Sequence, residues 1–265
     1  MHFRFPSVAP ATCAAWLSAW VVLGCTSISP PAPPKTEGAT TPTAQVSSRK
    51  LAWTPGQNWH IYDLPSKKAT VFSTVGMDGR DAVLAVADSS ASLLRQQVRI
   101  DPSVLHQVRF SWKVPQLIAA ADMAQRDGDD SPVRVVFTFE GDRAKWSVKN
   151  AMLSELSLVL TGEELPYATL MYVWCNKRTP GSVIQNPRTD RIRKIVVESG
   201  EKNLNQWQDY ERDIVADFEK AFGEKPGALI GMALMTDSDN TRSKTRAYYG
   251  PISMQALAGT LSTPR

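Results

Sequence analysis

The stretch Val108-Arg109-Phe110-Ser111-Trp112-Lys113-Val114 alternates strictly between large apolar and polar side chains. Successive side chains of a strand point to opposite faces. A period of two therefore puts Val108, Phe110, Trp112 and Val114 against a core and Arg109, Ser111 and Lys113 on the other face. Val133–Phe139 repeats the pattern, with Val133, Val135, Phe137 and Phe139 inside and Arg134 and Thr138 opposite. Working outward, strand-like runs cover Trp59–Leu64, Ala69–Val75, Ala82–Ala87, Leu93–Ile100, Ala168–Trp174, Arg191–Val197, Leu229–Met235 and Arg246–Ala256. Pro65-Ser66, Gly76-Met77-Asp78-Gly79 and Asp101-Pro102 break the early ones.

Two segments carry a helical period instead. Between 142 and 162, Trp146, Met152, Leu153, Leu156 and Leu160 recur every three or four positions, a helix with one apolar side that Gly162 ends. Asp213–Phe222 is the second, with Val215, Phe218, Ala221 and Phe222 as its buried stripe and Gly223 as its cap. About ten short strands with two inserted helices predict a mainly β fold, a jelly-roll-like β-sandwich, over residues 51–258. The chain has 265 residues, 43% of them apolar, enough for one large domain.

The amino-terminal part is of another kind. Residues 11–24, ATCAAWLSAWVVLG, form an apolar run after a single charge at Arg4. The run is shorter than the roughly 20 residues that span a bilayer, and it has the form of a secretory signal. It closes on Val22-Leu23-Gly24-Cys25, which resembles the lipobox read by the lipoprotein signal peptidase, with Leu23 where a small or β-branched residue is more usual. Residues 1–24 are thus expected to be an export signal and Cys25 to be lipidated. Residues 25–50, CTSISPPAPPKTEGATTPTAQVSSRK, are too poor in large apolar groups to pack and are expected to form a flexible tether. Residues 259–265 are expected to be a disordered tail. This reading predicts a periplasmic lipoprotein of the bacterial cell envelope. Thr26, rather than Asp, favours the outer membrane. Cys13 would leave with the signal, so Cys175, in YATLMYVWC, remains without a disulfide partner and reads as a small buried hydrophobe.

The net charge is only +4. The densest basic stretch, Arg188, Arg191, Arg193 and Lys194, is interleaved with Asp190, Ile192 and Ile195 and reads as the solvated face of a strand. A nucleic-acid site needs a clustered stripe, so no nucleic acid is expected as a partner.

The runs Ser90-Ala91-Ser92-Leu93, Phe110 through Val114, Asp127 through Arg134, Leu170 through Trp174 and Asn186-Pro187 keep a recognisable spacing. So do Arg191 through Val197, Ser199-Gly200, Gln206-Trp207, Ala216-Asp217-Phe218, Ala221-Phe222-Gly223, Met235 through Thr241 and Tyr248-Tyr249-Gly250. Across residues 51–258 they resemble the bacterial family catalogued as domain of unknown function 3047. The resemblance implies a secreted or periplasmic β-sandwich and no particular activity.

The sequence has no H-E-x-x-H, G-x-S-x-G or C-x-x-C motif and no phosphate-cradling glycine loop. Its polar loops are more informative. Asp129 and Asp130 precede the strand carrying Arg134, and Asp237, Asp239 and Asn240 follow another strand. Asn186 and Arg188 form a third loop, near Tyr172 and Trp174 in sequence order. Carboxylates with a carboxamide suit calcium, which takes six to eight oxygens, so Ca2+ at Asp237 and Asp239 is one reading. Ordinary turn chemistry is the other. Aromatic rings beside Asp, Asn and Arg also suit a glycan, with Trp53, Trp59, Tyr172, Trp174, Trp207, Tyr248 and Tyr249 as candidate stacking platforms. Asp129, Asp130, Arg134, Tyr172, Trp174, Asn186, Arg188, Asp237, Asp239 and Asn240 are the candidate ligand-binding residues. The leading expectation is a non-catalytic, membrane-tethered sandwich that binds a polysaccharide or related envelope ligand. The alternatives are a polysaccharide hydrolase or lyase using these acids with Arg134, and an envelope scaffold that docks a partner protein.

Overall fold

The computed structural model describes residues 47–51 and 58–256. The expected signal segment, Cys25, most of the expected tether and the carboxyl-terminal tail lie outside them. In chain order the strands are β1 Ser47–Leu51, β2 His60–Asp63, β3 Val71–Met77, β4 Arg80–Asp88, β5 Ser92–Ile100, β6 Leu105–Lys113 and β7 Ser131–Phe139. They continue with β8 Ala168–Cys175, β9 Val183–Gln185, β10 Ile192–Ser199, β11 Trp207–Asp213, β12 Leu229–Asp237, β13 Lys244–Tyr249 and β14 Ile252–Ala256. Helix α1 spans Val148–Thr161 and helix α2 spans Ile214–Phe222.

Two seven-stranded sheets face each other. The first runs β1-β14-β6-β13-β4-β3 with β11 added to β6, and the second runs β2-β5-β12-β7-β8-β10-β9. Neighbours are antiparallel except β8 and β10, which are parallel because β9 returns as a hairpin on the far edge of β10. The alternation in 108–113 does what its period requires. Val108, Phe110 and Trp112 are buried between the sheets, where Phe110 stacks on Tyr172 of the facing sheet at 5.3 Å. Val133, Val135, Phe137 and Phe139 meet them from β7. The sandwich expected from the sequence is the fold observed.

Local differences have local causes. The run expected as one strand over 246–256 divides at Gly250-Pro251. Pro251 has no N–H for a ladder, and Gly250 donates its N–H to Ser111 O at 2.9 Å so closely that a Cβ would collide with Ser111 Oγ. Strand β11 escaped the pattern because only Trp207 and Tyr210 are apolar in WQDYERD. Strand pairing also begins at Ser47, inside the stretch read as tether. Helix α2 follows expectation: Asp213 caps it by accepting from the Val215 and Ala216 N–H groups, Phe218 is buried, and Gly223 ends it in the left-handed conformation.

Helix α1 has the expected limits and the Gly162 cap, but its apolar side faces water. Met152, Leu156 and Leu160 are exposed, whereas Asn150 and Ser154 are buried. Trp146, expected on the same stripe, leaves it to stack parallel to Tyr167.

Candidate functional site

The second sheet has its own apolar outer face, built from Val136, Met171, Val173, Cys175, Val196 and Ala233. Residues 115–130 cross it as a strap that buries Met123 there. Asn176 pins the strap by donating to Ile118 O at 2.8 Å and Ala121 O at 3.0 Å, and Arg178 pairs with Asp122 at 2.6 Å. A short 3-10 turn at Arg126–Gly128 then brings Asp129 and Asp130 beneath the strap.

Four charged side chains converge under this cover. Strand β7 alternates, so Arg134 points away from the inter-sheet core, toward the strap. The Arg134 guanidinium donates to both carboxylate oxygens of Asp237, at 2.7 and 2.8 Å, and to Asp129 Oδ1 at 3.1 Å. Lys194 Nζ donates to both Asp129 oxygens at 2.7 Å and to Met123 O at 3.0 Å. Asn186 adds a bond to Asp129 at 3.0 Å. Next to this quartet, Asp130 accepts from the Asn240 and Thr241 backbone N–H groups, the Asn240 amide and the Thr241 hydroxyl, the last at 2.6 Å. The loops before β7 and after β12 therefore meet in space.

Their meeting place is closed. Asp129, Asp130, Arg134, Lys194 and Asp237 are all buried. Lys194, read from sequence as part of a solvated face, is the member that was missed. The apolar residues on either side of it at Ile192 and Val196 are the signal that this strand face is covered. Tyr172 and Trp174, expected beside a ligand, lie in the inter-sheet core instead: Tyr172 donates to Asp217 at 2.8 Å and Trp174 Nε1 to Gly200 O at 2.9 Å. Strand alternation placed them opposite Met171, Val173 and Cys175, on the other side of the sheet from the charges. Arg188 remains exposed, its N–H bonded to Asn186 Oδ1.

Carboxylate oxygens of Asp130, Asp237 and Asp239 come within 4.8 Å of one another. Their lone pairs are nevertheless engaged: Asp237 by Arg134 and the Ser131 N–H, Asp130 by four donors, and Asp239 by Lys67. A calcium ion would have to displace this ring of donor hydrogens to gather its oxygens. The donor set fits an internal hydrogen-bond cluster better than it fits the ion.

Burial lifts the Asp237 carboxyl from 3.8 to about 6, outweighing Arg134. Burial likewise lowers Lys194 from 10.5 to about 8, with Arg134 adding to it. For Asp129 burial also pushes upward, but Arg134 and Lys194 together outweigh it and hold the carboxyl below its ordinary value. The signs have opposite consequences. Asp237 contributes stability that is complete below about pH 3.8 and lost as pH rises through about 6. Asp129 contributes stability that is present above its ordinary value of 3.8 and lost as pH falls through its lowered one. Urea midpoints are therefore expected to stay level or rise between about pH 6.5 and 4.5, and to fall only in stronger acid. A steep decline across the upper window would refute this assignment.

A second feature is open to solvent. Strands β6, β11 and β14 frame a groove of about 430 Å3 lined by Arg80, Arg109, Ser111, Asp209, Glu211 and Ser253. Register sets the row: Arg109 lies between Glu211 of β11 and Ser253 of β14, and Ser111 lies opposite Asp209. Arg80 donates to both oxygens of Asp209, at 2.7 and 3.1 Å, and sits 5.1 Å over the Trp207 ring. Arg109 Nε donates to Glu211 at 2.7 Å. No short motif marks this groove, since its residues come from four strands and a turn. Of the other rings considered as platforms, Trp53 lies outside the described residues, Trp59 packs partly against the core, and Tyr248 and Tyr249 are buried.

Fold and cluster define a two-sheet β-sandwich whose second sheet is sealed by a strap over paired charges. The chain belongs to the family described as protein of unknown function DUF3047, whose model matches residues 57–253. No curated protein matches it. Among solved structures it is similar to endoglucanase 3 from family GH12 of Trichoderma harzianum, at 6% identity and TM-score 0.39, over 81% of this chain and 98% of that one. It is also similar to the xyloglucanase domain of NopAA, a type three effector from Sinorhizobium fredii, at 7% identity and TM-score 0.35, over 79% and 98%.

Proposed function

We propose that this chain is a non-catalytic, lipid-tethered envelope protein that binds an uncharged glycan in the groove between β6, β11 and β14. One contrast carries the reading: the acids that could do chemistry are sealed and mutually paired, while the groove presents paired charges to water. Two guanidinium groups and two carboxylates leave the groove electrically balanced. Balanced pairs suit sugar hydroxyls, which accept from a guanidinium and donate to a carboxylate, better than they suit a polyanion. Pro251 and Tyr210 in the lining add apolar surface for a sugar face. The tether rests on the lipobox-like Val22–Cys25.

Affinity electrophoresis in gels cast with neutral envelope or extracellular glycans tests this. The wild-type protein is expected to be retarded, with little sensitivity to salt. Arg109→Ala combined with Asp209→Ala is expected to run free while losing only about 0–1 kcal/mol per exposed ion pair in stability. Equal migration of both proteins in every glycan would sink the proposal.

The second reading is a hydrolase or lyase, favoured by the convergence of Asp129, Arg134 and Asp237 and by a carboxyl near 6. It requires the strap to leave the sheet. Turnover of a glycan that disappears in Asp237→Asn would establish it.

A further inference from the structure

Helix α1 is built inside out. At 3.6 residues per turn, Asn150, Ser154, Ser157 and Thr161 share one side, and Val148, Met152 and Val159 point the opposite way. The polar side faces the protein. Asn150 donates to Asp190 at 2.6 Å and accepts from Thr189 at 2.8 Å, and Ser154 accepts from the Leu165 N–H at 3.1 Å. The apolar side is in water: Val159 is 81% exposed, Val148 78% and Met152 67%, with Leu156 and Leu160 beside them. Burying small hydroxyl and amide groups while exposing six large apolar ones, Leu158 included, makes sense only if another apolar phase covers the outer side.

We propose that this face of α1 lies on the lipid surface to which the chain is anchored, an inference that rests on the lipidated Cys25. Four observations favour lipid over protein. At 14 residues α1 is too short to cross a bilayer, so it would lie along the surface. Its exposed side is aliphatic with one thioether and one acid, Glu155, and lacks the Trp, Tyr and Arg that anchor protein interfaces. Lys145 and Lys149 stand at its amino end in no ion pair among the described residues, whereas Glu163 and Glu164 at the other end are held by Arg95 and Arg143. Lys149, on the helix itself, can meet an anionic headgroup, while Asp142 and Asp190 stand at the same end and Lys145 also acts on Glu224. Finally, only residues 26–46 separate Cys25 from β1, so an anchor at that cysteine keeps α1 at high local concentration over the bilayer.

The test uses vesicles of phosphatidylethanolamine and phosphatidylglycerol with two proteins: the native lipidated protein, and the chain from residue 25 carrying Cys25→Ser. Each is labelled with an environment-sensitive dye at Val159→Cys or, as a control, at the exposed Ser73→Cys on β3; Cys175 is buried. Lipid-borne quenchers are expected to reach the dye at 159 and not at 73. Met152→Glu with Leu156→Glu is expected to weaken vesicle binding of the unlipidated chain about tenfold. A water-exposed dye at 159 on vesicles that hold the native protein overturns the inference. So does shielding of residue 159 by dimerisation without vesicles, which would name a second copy as the occupant. A native protein without acyl mass on Cys25 refutes the anchor alone, and the unlipidated chain still decides the docking.

Discussion

Asp129→Asn is expected to destabilise the protein by about 3–5 kcal/mol, the range for removing one partner of a buried ion pair. Asparagine keeps the shape and some hydrogen bonds, so the loss isolates the charge. Lys194 bonds both Asp129 oxygens and is fully buried, and Arg134 keeps only Asp237 as its counter-ion once Asp129 is neutral. The strap hangs on the same contact through Lys194 and Met123 O. A double-mutant cycle gives the mechanism. Adding Lys194→Met to Asp129→Asn removes both charges of one pair and should recover a large part of the loss, since apolar replacement of a buried pair is often neutral. Urea unfolding of the four proteins measures this. If the double variant is less stable than Asp129→Asn alone, the cluster is held by something other than charge balance.

Trp174→Ala is expected to cost about 3–5 kcal/mol and to leave glycan retardation of the surviving folded protein unchanged. The ring fills the inter-sheet core at the end of β8, and its Nε1 satisfies Gly200 O. Truncation would leave a cavity between two sheets that cannot close independently. At roughly 2–4 °C per kcal/mol for a domain of this size, the melting temperature should drop by about 10 °C. Trp174→Phe, which keeps most of the volume and loses one hydrogen bond, should cost less, about 1–3 kcal/mol. The pair of variants separates a packing role from a ligand role. Retardation lost at unchanged stability would restore Trp174 to the binding surface and overturn its placement in the core.

Most of the strand framework was legible because a half-buried strand writes its two environments into alternate residues. Residues 108–113 show this, and α2 does so at the helical period, whereas 131–139 carry the same alternation although the strap buries their second face as well. Strands β9 and β11 were illegible because edge positions bury little and leave no apolar rhythm. Helix α1 was legible as a helix but not in its orientation. An amphipathic period reports that two sides differ, and only the partners of Asn150 and Ser154 reveal which side meets the protein. Among the candidate residues, Asp129, Asp130, Arg134, Asn186, Asp237, Asp239 and Asn240 come together in space, because turn-rich acidic loops flank their strands. Their company with Lys194 was hidden by its basic neighbours Arg191 and Arg193.

The order of residues alone determined a mainly β chain with a helix near 150 and another near 215. It did so because side-chain periodicity is a local property that every strand or helix must satisfy by itself. Which acids are sealed and which face water was decided only by the tertiary structure. That choice depends on the strap at 115–130 crossing one sheet and on β11 joining β6, contacts between segments far apart in the chain. Burial is a property of what lies on top of a residue, and no residue carries a record of its cover.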